Sequence, residues 1–319
     1  MAVHAFIFPG QGSQAPGMGR DLAEAFLAAR EVFQEVDDTL NQKLSKLMFE
    51  GPAEELTLTE NAQPALMAHS LAVLRVLETE GGFKLADRAV VVAGHSLGEY
   101  SALAAAGSFS IAAAAGLLKL RGQAMQQAVP AGAGAMAALL GCEVDLARDI
   151  CAAAGPNEAG KTEIIDIAND NGGGQVVVSG AKAAVDRACL IAKDRGVKRA
   201  MLLPVSAPFH CRLMAPAADA MAAALERTPP RPPALPLIAN VAAAKVTDPA
   251  EIVRLLVAQV TATVRWRECV NAMTALGVDS FVELGAGKVL TGIAKRLSPD
   301  ARAAAAGTPA DIEALLKTL

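Results

Sequence analysis

The stretch VVVAGHSLGEYSALAAAG, residues 90–107, decides the architecture. A β-branched apolar run ends in Gly94-His95-Ser96-Leu97-Gly98, and an Ala-rich run follows at once. Short valine-rich runs read as buried strands, and Ala-rich runs read as helices. The Gly-x-Ser-x-Gly between them therefore falls where a sharp strand-to-helix turn carries a nucleophile. Such a turn leaves no room for side chains on its flanks, hence glycine at both. It lifts the Ser96 hydroxyl out of the sheet at a helix N-terminus, whose partial positive charge favours an anion forming nearby. The backbone N–H of Leu97 is then free to hold an oxyanion. The plain alternative is a tight βα turn with an idle serine.

On both sides of this turn, strand-like runs alternate with helical ones, the pattern of an α/β fold with a mostly parallel sheet. Strands are expected at 4–8, 89–93, 236–239 and 279–284. Helices are expected at about 21–37, 61–79, 97–106, 111–128, 249–259, 265–276 and 287–297. A last helix should open at Thr308 as N-cap with Pro309 in first position. The middle of the chain runs differently: GAMAALLG, a helix over 144–154, EIIDIA, QVVVSG, a helix over 181–195, then KRAMLL. That is β-α-β-β-α-β, the ferredoxin-like order. VPAGAGA before it and PVSAPFH after it supply the breaks. The expectation is a small subdomain over 132–205 inserted into a larger one made of 1–131 and 206–319. The alternative is that these strands extend the main sheet.

Composition narrows the function. The 319 residues are 53% hydrophobic, only 3% aromatic and 19% charged, with a net charge of −4. A core of Ala, Val and Leu follows, and a general nucleic-acid binder is disfavoured. No apolar run approaches a membrane span, and the first apolar run is too short for a secretory signal. The five cysteines (142, 151, 189, 211, 269) show no ligand spacing, which fits reduced thiols in the cytoplasm. The four histidines are scattered, so no metal site is expected. A monomer is expected.

A serine nucleophile needs a base. His95 adjoins Ser96, but neighbouring side chains on a tight turn diverge. His69 lies in a helical stretch and His4 in the first strand, where both read as structural. His210, in VSAPFHCRLM, lies in a Pro-containing loop downstream of the serine, as bases do in many serine hydrolases. No Asp or Glu stands out as a third member, and a backbone carbonyl can orient an imidazole equally well. Arg121, in AAAAGLLKLRGQAM, has almost no acidic residue near it in sequence. It reads either as a surface arginine or as a carboxylate clamp in a pocket. The Gly-rich loop FPGQGSQAPG at 8–17 fits a dinucleotide fingerprint on paper. However, AFLAAREVFQEVDDTL is helical and charged where that fingerprint needs a second strand, so the dinucleotide reading fails.

Taken together, FPGQGSQ, GHSLGEYSAL, RGQAMQ, NDNGGGQVVVSG, APFHC and VELGAGKVLTGIAKR resemble the malonyl-CoA:acyl-carrier-protein transacylases of fatty-acid synthesis. The blocks recur in family order from residue 8 to about 297. The resemblance implies an α/β hydrolase-like core with a ferredoxin-like insertion. It implies Ser96 as the acylated nucleophile, His210 as its base, and the N–H groups of Gln11 and Leu97 as the oxyanion hole. The main-chain carbonyl of Gln259, seven residues before Trp266, would orient the histidine. Arg121 would pair with the malonyl carboxylate, with Met125 and Phe209 beside it in the acyl pocket. In similar polyketide acyltransferases, Phe before the histidine goes with malonyl and Ser with methylmalonyl. The implied substrate is malonyl-CoA and the implied partner is acyl carrier protein, with no metal or cofactor. Lys182, Arg187, Lys193, Lys198 and Arg199 could form a docking face or simply a solvated one. Rivals are a discrete acyltransferase of a polyketide or malonate decarboxylase system, and a Ser-His (thio)esterase.

Overall fold

The computed structural model describes residues 2–157 and 159–319. Ten strands are formed among the described residues: β1 His4–Phe8, β2 Ala89–Gly94, β3 Gly134–Leu140, β4 Ile165–Asp170, β5 Gln175–Ala181, β6 Arg199–Leu202, β7 Leu237–Ala239, β8 Ala244–Val246, β9 Ser280–Leu284 and β10 Arg302–Ala306. Six of them make one sheet in the order β10-β9-β1-β2-β7-β8, parallel throughout except for the β7–β8 hairpin. Centrally placed β1 is covered on both faces, which explains its unbroken apolar run. Phe6 and Phe8 point into the larger core, with Val92 and Leu284. Ala5 and Ile7 point to the other side, against Val91, Phe281 and Trp266. Helices Thr59–Gly81 and Ile111–Gln127 cover the first face, and Trp266–Ala275 with Val289–Leu297 cover the second.

The remaining four strands form a second, antiparallel sheet in the order β4-β5-β3-β6. Helices Val144–Ala154 and Lys182–Asp194 close one face over Ala137, Leu139, Val176 and Val178. The opposite face, with Met136, Ala138 and Val177, packs into the main core. Backbone and side chains also tie the two sheets. Val264 exchanges hydrogen bonds with Ala168 and Asp170, at 2.8 and 3.0 Å. Asp170, nearly buried, meets Arg267 at 2.8 Å.

The structure departs from the expected elements in several places. The helix read over 21–37 is broken at Phe26, which is extended (φ −129°, ψ 127°), giving Arg20–Ala25 and Leu27–Leu40. Helix Ala215–Arg227 was not anticipated, nor were β8 and β10. Strand β10 is RAAAA, a helix-favouring composition held extended by its parallel pairing with β9. Helix propensity amounts to tenths of a kcal/mol per residue, so a full ladder of edge hydrogen bonds overrides it. The last helix opens as read, with Thr308 as N-cap and Pro309 in its first turn.

Candidate active site

The C-terminal ends of β1, β2 and β7 converge, and the loops leaving them build one site, as parallel sheets favour. After β2 the chain turns so sharply that Ser96 takes a left-handed φ of 54°. A Cβ on Gly94 would lie 1.8 Å from the carbonyl oxygen of Gly98, and one on Gly98 would lie 2.3 Å from that of Phe8. Both glycines are thus required by contact with backbone. Asn240, just past β7 and fully buried, straps the turn. Its Oδ1 accepts from the Ser96 N–H at 2.8 Å, and its Nδ2 donates to the Gly94 carbonyl at 2.7 Å. A strained serine persists only where its surroundings over-determine it, and this clamp does so.

Ser96 Oγ lies 2.7 Å from His210 Nε2. His210 is itself in a left-handed conformation (φ 57°), in the loop between β6 and helix Ala215–Arg227. Its Nδ1–H donates to the main-chain carbonyl of Gln259 at 2.8 Å. That bond fixes the tautomer and leaves Nε2 bare to receive the serine proton. Burial, and then the neighbouring positive charge of Arg121, lower the His210 pKa to about 3, against the pull of the Gln259 carbonyl. The imidazole is therefore neutral at physiological pH, the form a base needs.

Arg121 is 1% exposed, which excludes the surface reading. Its Nη1 donates to Gln63 Oε1 at 2.7 Å and its Nη2 to Gln259 Oε1 at 2.8 Å, with Ser96 Oγ at 3.3 Å. Ser96, His210 and Arg121 line a cavity of about 440 Å³, together with Gln11, Leu97, Met125 and Phe209. The size suits an acyl thioester end. Neither the Gln11 nor the Leu97 N–H has an acceptor among the described residues. The arrangement can take a proton from Ser96, offer two N–H donors to an oxyanion, and meet a carboxylate with a guanidinium.

Of the residues given a catalytic or acyl-binding role from sequence, all but Gln259 line this cavity; Gln259 lies behind it with its carbonyl on His210. His95 turns away from Ser96 to Asn171 Oδ1 at 3.0 Å and packs against Trp266. His69 is buried elsewhere, with Nε2 3.0 Å from the Gly307 carbonyl. Gln63, Glu99 and Asn240 were missed. Glu99 was the most legible of these, a lone acid three residues after the serine, but a short helix gives no periodicity to show that it faces inward. Among the basic residues, Arg187 is committed to Glu163 and the Ala154 carbonyl, and Lys182 to Asp186. The described residues contain no cluster of His, Cys, Asp or Glu arranged to hold a metal. None of their helices is long and apolar enough to cross a membrane.

The chain is similar to known proteins over nearly its whole length. The acyl transferase domain family matches residues 5–308. The chain is 44% identical over 319 residues to a malonyl CoA-acyl carrier protein transacylase of Bacillus subtilis, covering 100% of this chain and 98% of that one. An acyl-carrier-protein S-malonyltransferase structure from Bartonella henselae superposes with a TM-score of 0.95 at 53% identity, covering 99% of each chain. A malonyl-transacylase solved in complex with its type II PKS acyl-carrier protein superposes with a TM-score of 0.94 at 41% identity, covering 100% of each chain.

Proposed function

The chain belongs to the acyl transferase domain family, and from that premise we infer that it transfers the malonyl group of malonyl-CoA to acyl carrier protein through a malonyl-serine intermediate. The observation that carries the reading is the Ser96–His210–Gln259 chain beside a buried arginine in one cavity. As Ser96 Oγ attacks the thioester carbon, its proton passes to His210 Nε2. The carbonyl oxygen gains the negative charge, and the N–H groups of Gln11 and Leu97 hold it. Collapse breaks the C–S bond, and the coenzyme A thiolate takes the proton from His210. In the second half, the phosphopantetheine thiol gives its proton to His210 and attacks the serine ester, and Ser96 leaves with that proton. The chemistry is complete in these groups, with no metal or cofactor assigned a step.

Arg121 receives the malonyl carboxylate. The guanidinium can grip two oxygens in its plane, which an ammonium cannot. Its charge also lowers the His210 pKa. An arriving carboxylate offsets that charge, so the correct substrate raises the basicity of its own catalyst. Phe209 and Met125, both buried, crowd the α-carbon and favour malonyl over a branched acyl group. We assign 132–205 to a small inserted subdomain and 1–131 with 206–319 to the core. The reading includes coenzyme A thioester as donor, a monomer, and a cytoplasmic setting, which the five free cysteines favour. The test is acceptor choice. With malonyl-CoA and holo acyl carrier protein, malonyl should appear on the carrier faster than free malonate appears. Malonate release that ignores added carrier protein would make the protein a thioesterase.

A further inference from the structure

Arg121 forms no ion pair with a carboxylate among the described residues. A buried glutamate, Glu99, stands one residue away, behind Gln259. Gln259 Oε1 accepts from Arg121, while Gln259 Nε2 donates to the Glu99 carboxylate and to the Ser96 carbonyl, the latter at 3.0 Å. The other Glu99 oxygen accepts the Asn240 N–H. Glu99 is 1% exposed and Gln259 and Asn240 are wholly buried. A guanidinium only donates, and carboxylates and carbonyls only accept. Arg121 on one side and the Ser96 carbonyl on the other therefore allow the Gln259 amide one orientation, oxygen toward Arg121 and nitrogen toward the Ser96 carbonyl and Glu99.

We propose that Glu99 is a positioning residue for acyl-group selection, acting through the Gln259 amide to hold Arg121 oriented and free of a direct counter-ion. The proposal rests on the reading that Arg121 receives the acyl carboxylate. A buried guanidinium left without acceptors is costly, and an acid set directly on it would compete with the substrate for the same N–H groups. An amide between the two meets both demands. Gln259 gives the arginine a neutral acceptor, and Glu99, whose pKa burial pushes up to about 8, holds the amide from behind through the hydrogen bond it accepts. Gln63 Oε1 holds the other arm of the fork in the same way, again as a neutral acceptor. Glu99 does not line the cavity, so its influence reaches the acyl group only through its neighbours.

The experiment compares kcat/KM for malonyl-CoA and acetyl-CoA in the wild type, Glu99→Gln, Arg121→Ala and the double variant Glu99→Gln/Gln259→Glu. Glu99→Gln keeps the shape but sets an NH2 group against either the Asn240 N–H or the Gln259 NH2. Gln259 then turns over and Arg121 loses its acceptor. The malonyl-to-acetyl ratio should fall by about tenfold or more, the scale of a lost charged hydrogen bond. A merely structural glutamate would lower both substrates together. The double variant again pairs residue 99 with residue 259 and with the Asn240 N–H, but puts a carboxylate directly on Arg121. Its malonyl-to-acetyl ratio should stay low even where thermal stability recovers. Should Glu99→Gln fail to fold, the ratio in the double variant decides. A wild-type ratio in either folded variant overturns the proposal, provided Arg121→Ala collapses it. An unchanged ratio in Arg121→Ala would instead overturn the role assigned to the arginine.

Discussion

His210 combines a neutral resting state with a position next to a fixed positive charge. Burial is the larger cause of its lowered pKa and Arg121 the second. Protonation therefore sets in only well below the ordinary histidine value of 6.5, and in the proposed role of base His210 stays competent as pH falls through that value. Wild-type acylation by acetyl-CoA should hold level from about pH 8 to about pH 5, with no acid limb at an unperturbed imidazole. Removing Arg121 removes a charge that opposes protonation, so the sign is upward: in Arg121→Ala the acid limb should move to higher pH. Rate profiles of both proteins check this. An acid limb near 6.5 in the wild type, or a limb that moves down in the variant, would contradict the assignment. The same arginine shows how far residue-level reading of the sequence can go. Its two readings, surface and clamp, differ only in burial, and AAAAGLLKLRGQAM has no polar face regular enough to separate them.

At the scale of elements, the turn from β2 into helix Gly98–Ala105 holds the chemistry in place. Gly94 and Gly98 meet backbone atoms of the turn itself and of β1, which cannot give way. Gly94→Ala should destabilise the protein by about 3 kcal/mol or more and abolish acylation, because the strand and helix must part. Gly116, exposed in helix Ile111–Gln127, would set a Cβ into open space, with no atom within 4 Å to oppose a methyl group. Gly116→Ala should raise stability by about 0.4–1 kcal/mol with acylation retained. Thermal unfolding and single-turnover acylation of the two variants decide; equal effects at both glycines would mean that the turn is not under tight steric control. This turn was fully legible because spacing and context coincide in one short stretch. The loop after β1 was not: FPGQGSQAPG shares its glycines with nucleotide-binding loops, and the missing second strand and the two prolines in the loop argued otherwise. Gln259 was harder still. Its contribution to His210 is a main-chain carbonyl, which any residue type supplies, so only the resemblance pointed to it.

Across the whole molecule, the cavity is a joint product of both sheets. The parallel sheet supplies Gln11, Ser96 and Leu97 from the ends of β1 and β2. The antiparallel sheet supplies Met136 from β3 and Asn169 from β4, and the chain leaving β6 adds Leu203, Pro204 and Val205 before reaching Phe209 and His210. The β-α-β-β-α-β order was readable from alternating patterns, but its docking was not, because Met136, Ala138 and Val177 face the core with the same small apolar residues that fill both layers. Every step of the proposed transfer depends on Ser96 carrying the acyl group. Intact-protein mass spectrometry after mixing with malonyl-CoA should show the gain of one malonyl group, located on Ser96 by peptide mapping and discharged when holo acyl carrier protein is added. Ser96→Ala should show no gain. A malonyl adduct that persists in Ser96→Ala, or a wild-type protein that transfers malonyl without ever carrying it, would contradict the account.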